Sequence, residues 1–358
     1  MRFPEFTEEW KEEQLDNIAT LSKGIGISKE QLSEDGEPCI LYGELYTKYK
    51  SEIIKQVESK TDINGSKLKR SKANDVIIPC SGETAVDIAT ARCVPFDNIL
   101  FGGDLNVISL HQYDGAFMSY QLNGKRKYDI ARVAQGVSIV HLYGEHLKAI
   151  KTYNPTLPEQ QKIAKLLSLL DDRIDTQNKI IDKLKSLIKG IDEVVFQSCS
   201  KHCKLKEFDN QITAGRDKVE EGCFPLYGST GVIGTTATPS YHEPLVLVAR
   251  VGSIGCVQFV NIPCGVSDNT IVIRCGSKAK YVYYYLQNYN FERITSGTTQ
   301  PLITAKDVKH IDIPIIDSAN DLKAINTLDT LNMKLELESN LYNTILKQKA
   351  FLLQQMFI

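Results

Sequence analysis

From Ile163 onward the apolar residues step alternately by four and by three: Ile163, Leu167, Leu170, Ile174, then Ile181, Leu184, Ile188, Ile191 and Val195, with Gln177 in the one polar slot. A mean step of about 3.5 residues keeps them on one stripe of a helix, the seam of a coiled coil. The pattern predicts a helix starting near Leu157: Thr156 can cap it, Pro158 is tolerated in the first turn, and Glu159 can close a capping box. About forty residues would make it roughly 60 Å long, longer than a small domain is wide. A second seam near the end reads Ala324, Leu328, Leu331, Leu335, Glu338, Tyr342, Ile345, Lys349, Leu352 and Met356.

The two seams superpose under a shift of 161 positions, which carries Gly136 to Gly297, Lys148 to Lys309, Ile150 to Ile311, Leu167 to Leu328 and Phe196 to Phe357. Glu338 then occupies the slot of Gln177, and in an antiparallel pair the two would face each other and fix the register. The stretches before the helices also correspond, and both carry strand signals. Residues 74–110 parallel 243–275, each with an apolar run (Val76 to Ile78, Leu245 to Val248), a turn with glycine (Ser81-Gly82, Gly252-Ser253) and a step into a further strand (Gly103-Asp104, Ser267-Asp268). Upstream, Pro38 with Tyr42-Gly43 parallels Pro225 with Tyr227-Gly228. The order is globular, helix, globular, helix, with the halves as diverged copies.

Composition changes this picture little. The chain of 358 residues is long enough for more than one core, and 42% hydrophobic with 24% charged residues lacks the signature of disorder. A net charge of -2 names no partner, so local basic clusters matter more than the sum. Nine cysteines without a CxxC pair suit reduced thiols in a cytoplasmic protein. The acidic start "MRFPEFTEEWKEEQL", broken by Pro4, and the lack of any run near eighteen apolar residues lead us to expect no export and no membrane span.

Four stretches recur in a recognisable order: "LPEQQKIAKLLSLLDDRI" after the first globular region, "YGSTGVIG" with "VARVGSIGCVQ" in the second, "TSGTTQPLITAKDVKHIDIPI" before the second helix, and the closing "LLQQMF". In these, and over essentially its whole length, the chain resembles the specificity subunit of type I restriction-modification enzymes. The resemblance implies an α/β chain of two globular target recognition domains, each a mixed β-sheet with helices. Two long antiparallel coiled-coil helices would separate them, in an internal pseudo-two-fold repeat. The segments would be 1–155 (first recognition domain), 156–200 (central spacer helix), 201–316 (second recognition domain) and 317–358 (C-terminal spacer helix). The second helix departs from the family pattern, with "SANDLKAI" in place of a Pro-Glu-Gln entry and Asp317 or Ser318 as its cap.

The implied partners are double-stranded DNA with a split recognition sequence, two methyltransferase (modification) subunits and two restriction/translocase subunits. S-adenosylmethionine, ATP and Mg would belong to those subunits, and this chain would hold no cofactor. Two other classes compete: a coiled-coil assembly hub that does not bind DNA, and the recognition part of a fused restriction enzyme.

A DNA reader needs cations for phosphates and donors and acceptors for base edges. Lys69 and Arg70 in "KLKRSK" and Lys125 and Arg126 in "KRK" suit phosphates, although a lysine-rich run also suits a solvated loop. Arg250 is delivered by a buried-looking strand to a Gly-Ser turn; Ser229 and Thr230 lie in a glycine-rich turn, and Thr298 and Gln300 in a polar loop. The helices carry more apolar residues than one seam uses, among them Leu337, Leu341, Leu346 and Phe351, which mark a surface for a partner.

Catalysis finds no foothold. "GIGIS" lacks the third glycine of a dinucleotide loop, "NPTL" has no aromatic to hold a flipped base, and no G-x-x-x-x-G-K-[ST] loop occurs. "CSKHC" offers at most three metal ligands without a second pair, so we expect no metal site.

Overall fold

In a computed structural model, residues 2–64, 67–136, 138–197, 201–208, 211–297, 301–315 and 318–357 are described. The chain divides into two units, one formed by Met1–Lys179 with Asn340–Ile358 and the other by Ile180–Ser339. Two helices run through both: a central one over Leu157–Gln197 and a C-terminal one over Ser318–Gln355. Asp317 and the side chain of Ser318 lie outside what is described.

The first unit is built on a four-stranded antiparallel sheet in the order Ala19–Lys23, Leu105–Leu110, Asp75–Pro79, Arg92–Val94. Its inner strand shows an unbroken apolar run because both faces are covered. Val76, Ile78 and Ile108 pack with Leu15, Ile18, Ile88, Met118 and Leu122 on one side, and Ile77, Leu105 and Val107 with Ile40, Leu45, Ile54 and Phe101 on the other. A second sheet adds one parallel pair, Cys39 and Ile40 against Leu100 and Phe101. Lys11–Gln14 pairs with Lys151–Asn154 just ahead of the central helix.

The second unit repeats this plan. Its sheet runs Thr213–Ala214, Thr270–Ile273, Leu245–Ala249, Val257–Val260, the same sequence-to-space order. The parallel pair recurs as Leu226 and Tyr227 against Gly265 and Val266, and His202–Lys204 pairs with Asp312–Pro314 ahead of the C-terminal helix. Val246, Val248, Ile271 and Ile273 share a core with the helix Ala279–Gln287 through Tyr281, Val282 and Leu286.

The repeat holds down to single hydrogen bonds. Leu15 N–H to Ile150 O (3.0 Å) matches Leu205 N–H to Ile311 O (2.9 Å), and Leu142 N–H to Cys80 O (2.8 Å) matches Ile303 N–H to Arg250 O (3.1 Å). The bridges Gln135 to His141 and Ser296 to Leu302 lie in the 161-residue frame, with Gly136 and Gly297 beside them at φ of 125° and 91°. Glycine is needed there because a side chain strains that backbone. Gly24 and Gly215 are a second matched pair, donating to Leu105 O and Thr270 O at 2.9 Å each. A Cβ on Gly24 would lie 2.0 Å from Gly102 O, and one on Gly215 2.4 Å from Ser267 O.

These bonds also correct two parallels drawn from sequence. Gly102 N–H to Ile40 O answers to Ser267 N–H to Tyr227 O, and Cys80 N–H to Asp104 O to Arg250 N–H to Asn269 O. Pro38 therefore does match Pro225, but Tyr42 stands opposite Ser229, and Asp104 opposite Asn269. Loops of unequal length allow such slips while the strands keep register.

Each unit contains an antiparallel stretch of helix pairing. In the first, Ile163, Ala164 and Leu167 pack with Met356 and Phe357, and Trp10 and Phe117 close the group. In the second, Ile188, Ile191 and Phe196 share a core with Ile325 and Leu328. Every seam position is buried or half-buried, while Leu337, Leu341, Leu346 and Phe351 are exposed. Gln177 is buried in the first unit and Glu338 half-buried in the second.

The capping box read at the central helix does not form. The Glu159 carboxylate accepts instead from Arg2 at 2.7 and 2.8 Å and from the Trp10 indole at 3.3 Å. A paired cation outcompetes the single amide of a cap.

Candidate nucleic-acid interface

Equivalent turns and loops shape a cleft in each unit. In the first it measures about 1070 Å³, between Tyr42 and Tyr46 on one side, Ser81, Gly82 and Glu83 on another, and Ile139. In the second it measures about 970 Å³, lined by Gly252, Ser253, Tyr289, Asn290 and Glu292. Gly82 and Gly252 follow the matched residues Cys80 and Arg250, so both clefts open beside the end of the same sheet strand.

The strand Leu245–Ala249 is buried at every position, and its end carries Arg250 half-exposed into the loops. Around it, Ser229 Oγ lies 3.3 Å from both Val251 O and Asn269 O, and Gln258 Nε2 donates to Gly228 O and Ser229 O at 2.9 and 3.2 Å. The glycine-rich turn is thus braced from beneath, with Thr230 exposed at its tip. Val232 and Ile233, exposed on the next strand, were missed from sequence because a β-branched pair in a hairpin reads as core.

The basic runs of the first unit fare differently. Arg70 is held by Glu37 through a two-pronged pair at 2.6 and 3.0 Å, while Lys69 beside it is half-buried. That pairing raises the Arg70 pKa and lowers that of Glu37, the hydrogen bond being the first cause of each. Arg126 meets Asp129 at 3.4 Å and covers the Tyr153 ring at 5.1 Å, and the turn before it lies against Leu353 of the C-terminal helix. Lys125 is exposed on that turn, and neither residue lines the cleft. Thr298 and Gln300 lie outside the described residues.

One group on the rim of the first cleft was not foreseen. His141 stacks on Tyr143 with ring centres 6.2 Å apart, Tyr143 meets His146 edge-on at 5.6 Å, and Lys23 stands 5.8 Å above Tyr143. His141 Nδ1 lies 3.3 Å from Ser81 Oγ, which ties the group to the cleft. The run "HLYGEH" held the signal, but its cation comes from a strand more than a hundred residues earlier.

Among the described residues no three or more metal-type side chains gather, and no helix is long and apolar enough to cross a membrane. Cys199 of "CSKHC" lies outside them.

The model of the type I restriction modification DNA specificity domain matches residues 7–186 and again 203–347. The chain belongs to this family. It is therefore a DNA specificity subunit of a type I system, the non-catalytic member, with the two matches falling on the two halves of the repeat. A Mycoplasma genitalium protein that carries the name type I specificity subunit S.MgeORF438P is 24% identical over 71% of this chain and 73% of its own length. The crystal structure of a type I restriction-modification S subunit from M. genitalium covers 99% of this chain and 97% of that one, at a TM-score of 0.72 and 20% identity. A chain from a structure described as bearing on complex assembly and conformational transition of the type I system matches at a TM-score of 0.52, with 14% identity over 98% and 97% of the two chains. These similarities carry the fold; the family match carries the role.

Proposed function

We propose that this specificity subunit reads a split double-stranded DNA target, each unit reading one block through the loops around its cleft. The observation that carries the reading is the repetition of the same hydrogen bonds at the strand ends, beneath loops of different chemistry. A duplicated frame with divergent tips suits two unlike blocks of sequence. Arg250, Ser229 and Thr230 are the contact candidates in the second unit. In the first, Lys23, His141 and Tyr143 join Lys69, whereas Arg70, Lys125 and Arg126 serve the fold or phosphates away from the cleft.

The exposed Leu337, Leu341, Leu346 and Phe351 give two modification subunits an apolar place to dock on the helices, and two restriction/translocase subunits join through them. S-adenosylmethionine, ATP and Mg belong to those partners in the cytoplasm, and this chain contributes recognition and scaffolding. Methylome sequencing of the host with and without the gene tests the reading. Loss of one motif made of two short blocks around a fixed gap is expected; an unchanged methylome with an active modification partner refutes it.

A further inference from the structure

Of the arginines with described surroundings in the folded sheets, Arg250 is held differently from the rest. Arg92 is nearly buried and donates to Tyr49 O at 2.9 Å and Ala91 O at 3.0 Å. Arg274 is fixed by Glu243 and Gln211, and Arg70 by Glu37. Those three guanidiniums are spent on the protein. Arg250 has one long contact, Nη1 to Asp268 O at 3.5 Å, and its buried Nε has no acceptor among the described residues. Its backbone, by contrast, is pinned on both sides, by Asn269 O and by the amide of Ile303 at 3.1 Å each. A rigid strand end thus carries a guanidinium, a planar fork of donors, whose two Nη groups have, among the described residues, no acceptor nearer than the 3.5 Å contact of Nη1.

The DNA group that matches such a fork is the paired O6 and N7 acceptors of guanine in the major groove. A phosphate would also accept, but a phosphate contact needs neither a pinned backbone nor a guanidinium half sunk among loops that carry further polar and apolar tips. Ser229 and Thr230 offer hydroxyls beside the fork, and Val232 and Ile233 offer methyl surface on the following strand. The equivalent position in the first unit is Cys80, a buried residue whose thiol burial pushes up to about 11, so it stays neutral.

We infer that Arg250 is a specificity-determining residue that reads a guanine in the block recognised by the second unit, and that the first unit has no such contact at the matching position. This rests on the DNA-reading role proposed above and assigns it one base.

The test compares wild type, Arg250→Ala and Arg250→Lys, each expressed with its modification partner, by methylome sequencing. The same assembled complexes are then bound to duplexes in which each guanine of the motif is replaced in turn by 7-deazaguanine, which lacks the N7 acceptor. Wild type is expected to require a G·C pair in one block. Binding should fall roughly 10- to 100-fold when N7 is removed from that guanine alone. Arg250→Ala should lose the requirement there, keep the other block, and be indifferent to the 7-deaza probe; Arg250→Lys should retain part of the preference.

A motif unchanged in Arg250→Ala overturns the assignment while leaving the DNA-reading role intact. So does a uniform loss of affinity over all sequences with a shallower salt dependence, the mark of a phosphate contact. If Arg250→Ala does not fold, the wild-type complex decides, because insensitivity to 7-deazaguanine at every position sinks the proposal. A wild-type system with no split motif at all would instead overturn the DNA-reading role itself.

Discussion

Replacing Lys349 by methionine should cost the first unit about 3–5 kcal/mol at neutral pH, the loss expected when one partner of a buried ion pair is removed. Lys349 stands on the apolar seam of the C-terminal helix, and its ammonium meets both Asp171 Oδ1 of the central helix and Glu52 Oε2 at 2.5 Å. The three side chains are 13%, 4% and 8% exposed, so water screens them little. Tyr120 donates to Asp171 at 2.6 Å, and Lys349 lies 5.7 Å above its ring. Methionine keeps the stem and removes the charge, leaving two carboxylates close together out of water.

The pH dependence separates this account from simple loss of packing. The Asp171 carboxyl already sits above the usual carboxylate range, through burial first and the neighbouring Glu52 second, opposed by the Lys349 ammonium and the Tyr120 hydroxyl. A carboxyl raised by folding binds its proton more tightly in the folded unit than in the unfolded chain. Stability therefore falls as pH rises from the unfolded value, about 3.9, through the raised one. Without Lys349 the raise grows, so the variant's deficit should be largest near pH 8 and shrink towards pH 5. Urea unfolding of wild type and Lys349→Met at several pH values measures this, with a drop in Tm of roughly 6–20 °C at neutral pH for a unit of this size. Adding Asp171→Asn to the variant should recover part of the loss. A deficit under about 1 kcal/mol, or one that is the same at pH 5 and pH 8, would refute the reasoning that rests on a buried charge pair.

Three further outcomes follow from single features. Leu341→Glu with Leu346→Glu should abolish co-purification of the modification subunit while circular dichroism and melting stay near wild type; retained binding would remove the proposed docking surface. Gly24→Ala should destabilise the first unit by about 3 kcal/mol, because its Cβ would meet Gly102 O at 2.0 Å, and a wild-type Tm would show that the strands part more easily than packing allows. Arg70→Ala should leave the methylated motif unchanged, since Glu37 already occupies the guanidinium, and a relaxed base in the methylome would contradict that.

What was legible in the sequence follows from the range of the interactions concerned. The helices were readable because a heptad seam is a local pattern repeated many times, and Leu157 as a start follows from residues within one turn of it. The inner strands were readable as apolar runs, and the 161-residue frame because duplication kept spacing after identity had faded. The ion pairs were not. Arg2 to Glu159, Arg70 to Glu37 and Lys349 to Glu52 each join distant points of the chain, and they fix in ion pairs residues read from sequence as a cap, a phosphate contact and a seam position. The register of the matched turns also escaped, because a Tyr-Gly or a Gly-Asp step is too short to show a slip of one or two residues.

The kind of difference between the halves bears on how such a reader acquires two specificities. At matched backbone positions, Cys80 stands for Arg250, Tyr42 for Ser229 and His141 for Leu302, while the amides and carbonyls of the first and last of these pairs keep equivalent partners. The sheet can tolerate this because inner strands such as Asp75–Pro79 and Leu245–Ala249 are buried at every position and their hydrogen bonds are spent within the sheet. Side chains that leave the strand ends add little to the core, so a substitution there carries a small folding cost. On the reading proposed above, changing Arg250 would alter what is recognised and leave the frame that presents it, whereas a side chain at Gly24 or Gly215 would meet the backbone of that frame. Variation should therefore collect at the tips and be excluded from the glycine contacts. Within this one chain, the two copies already differ in that way.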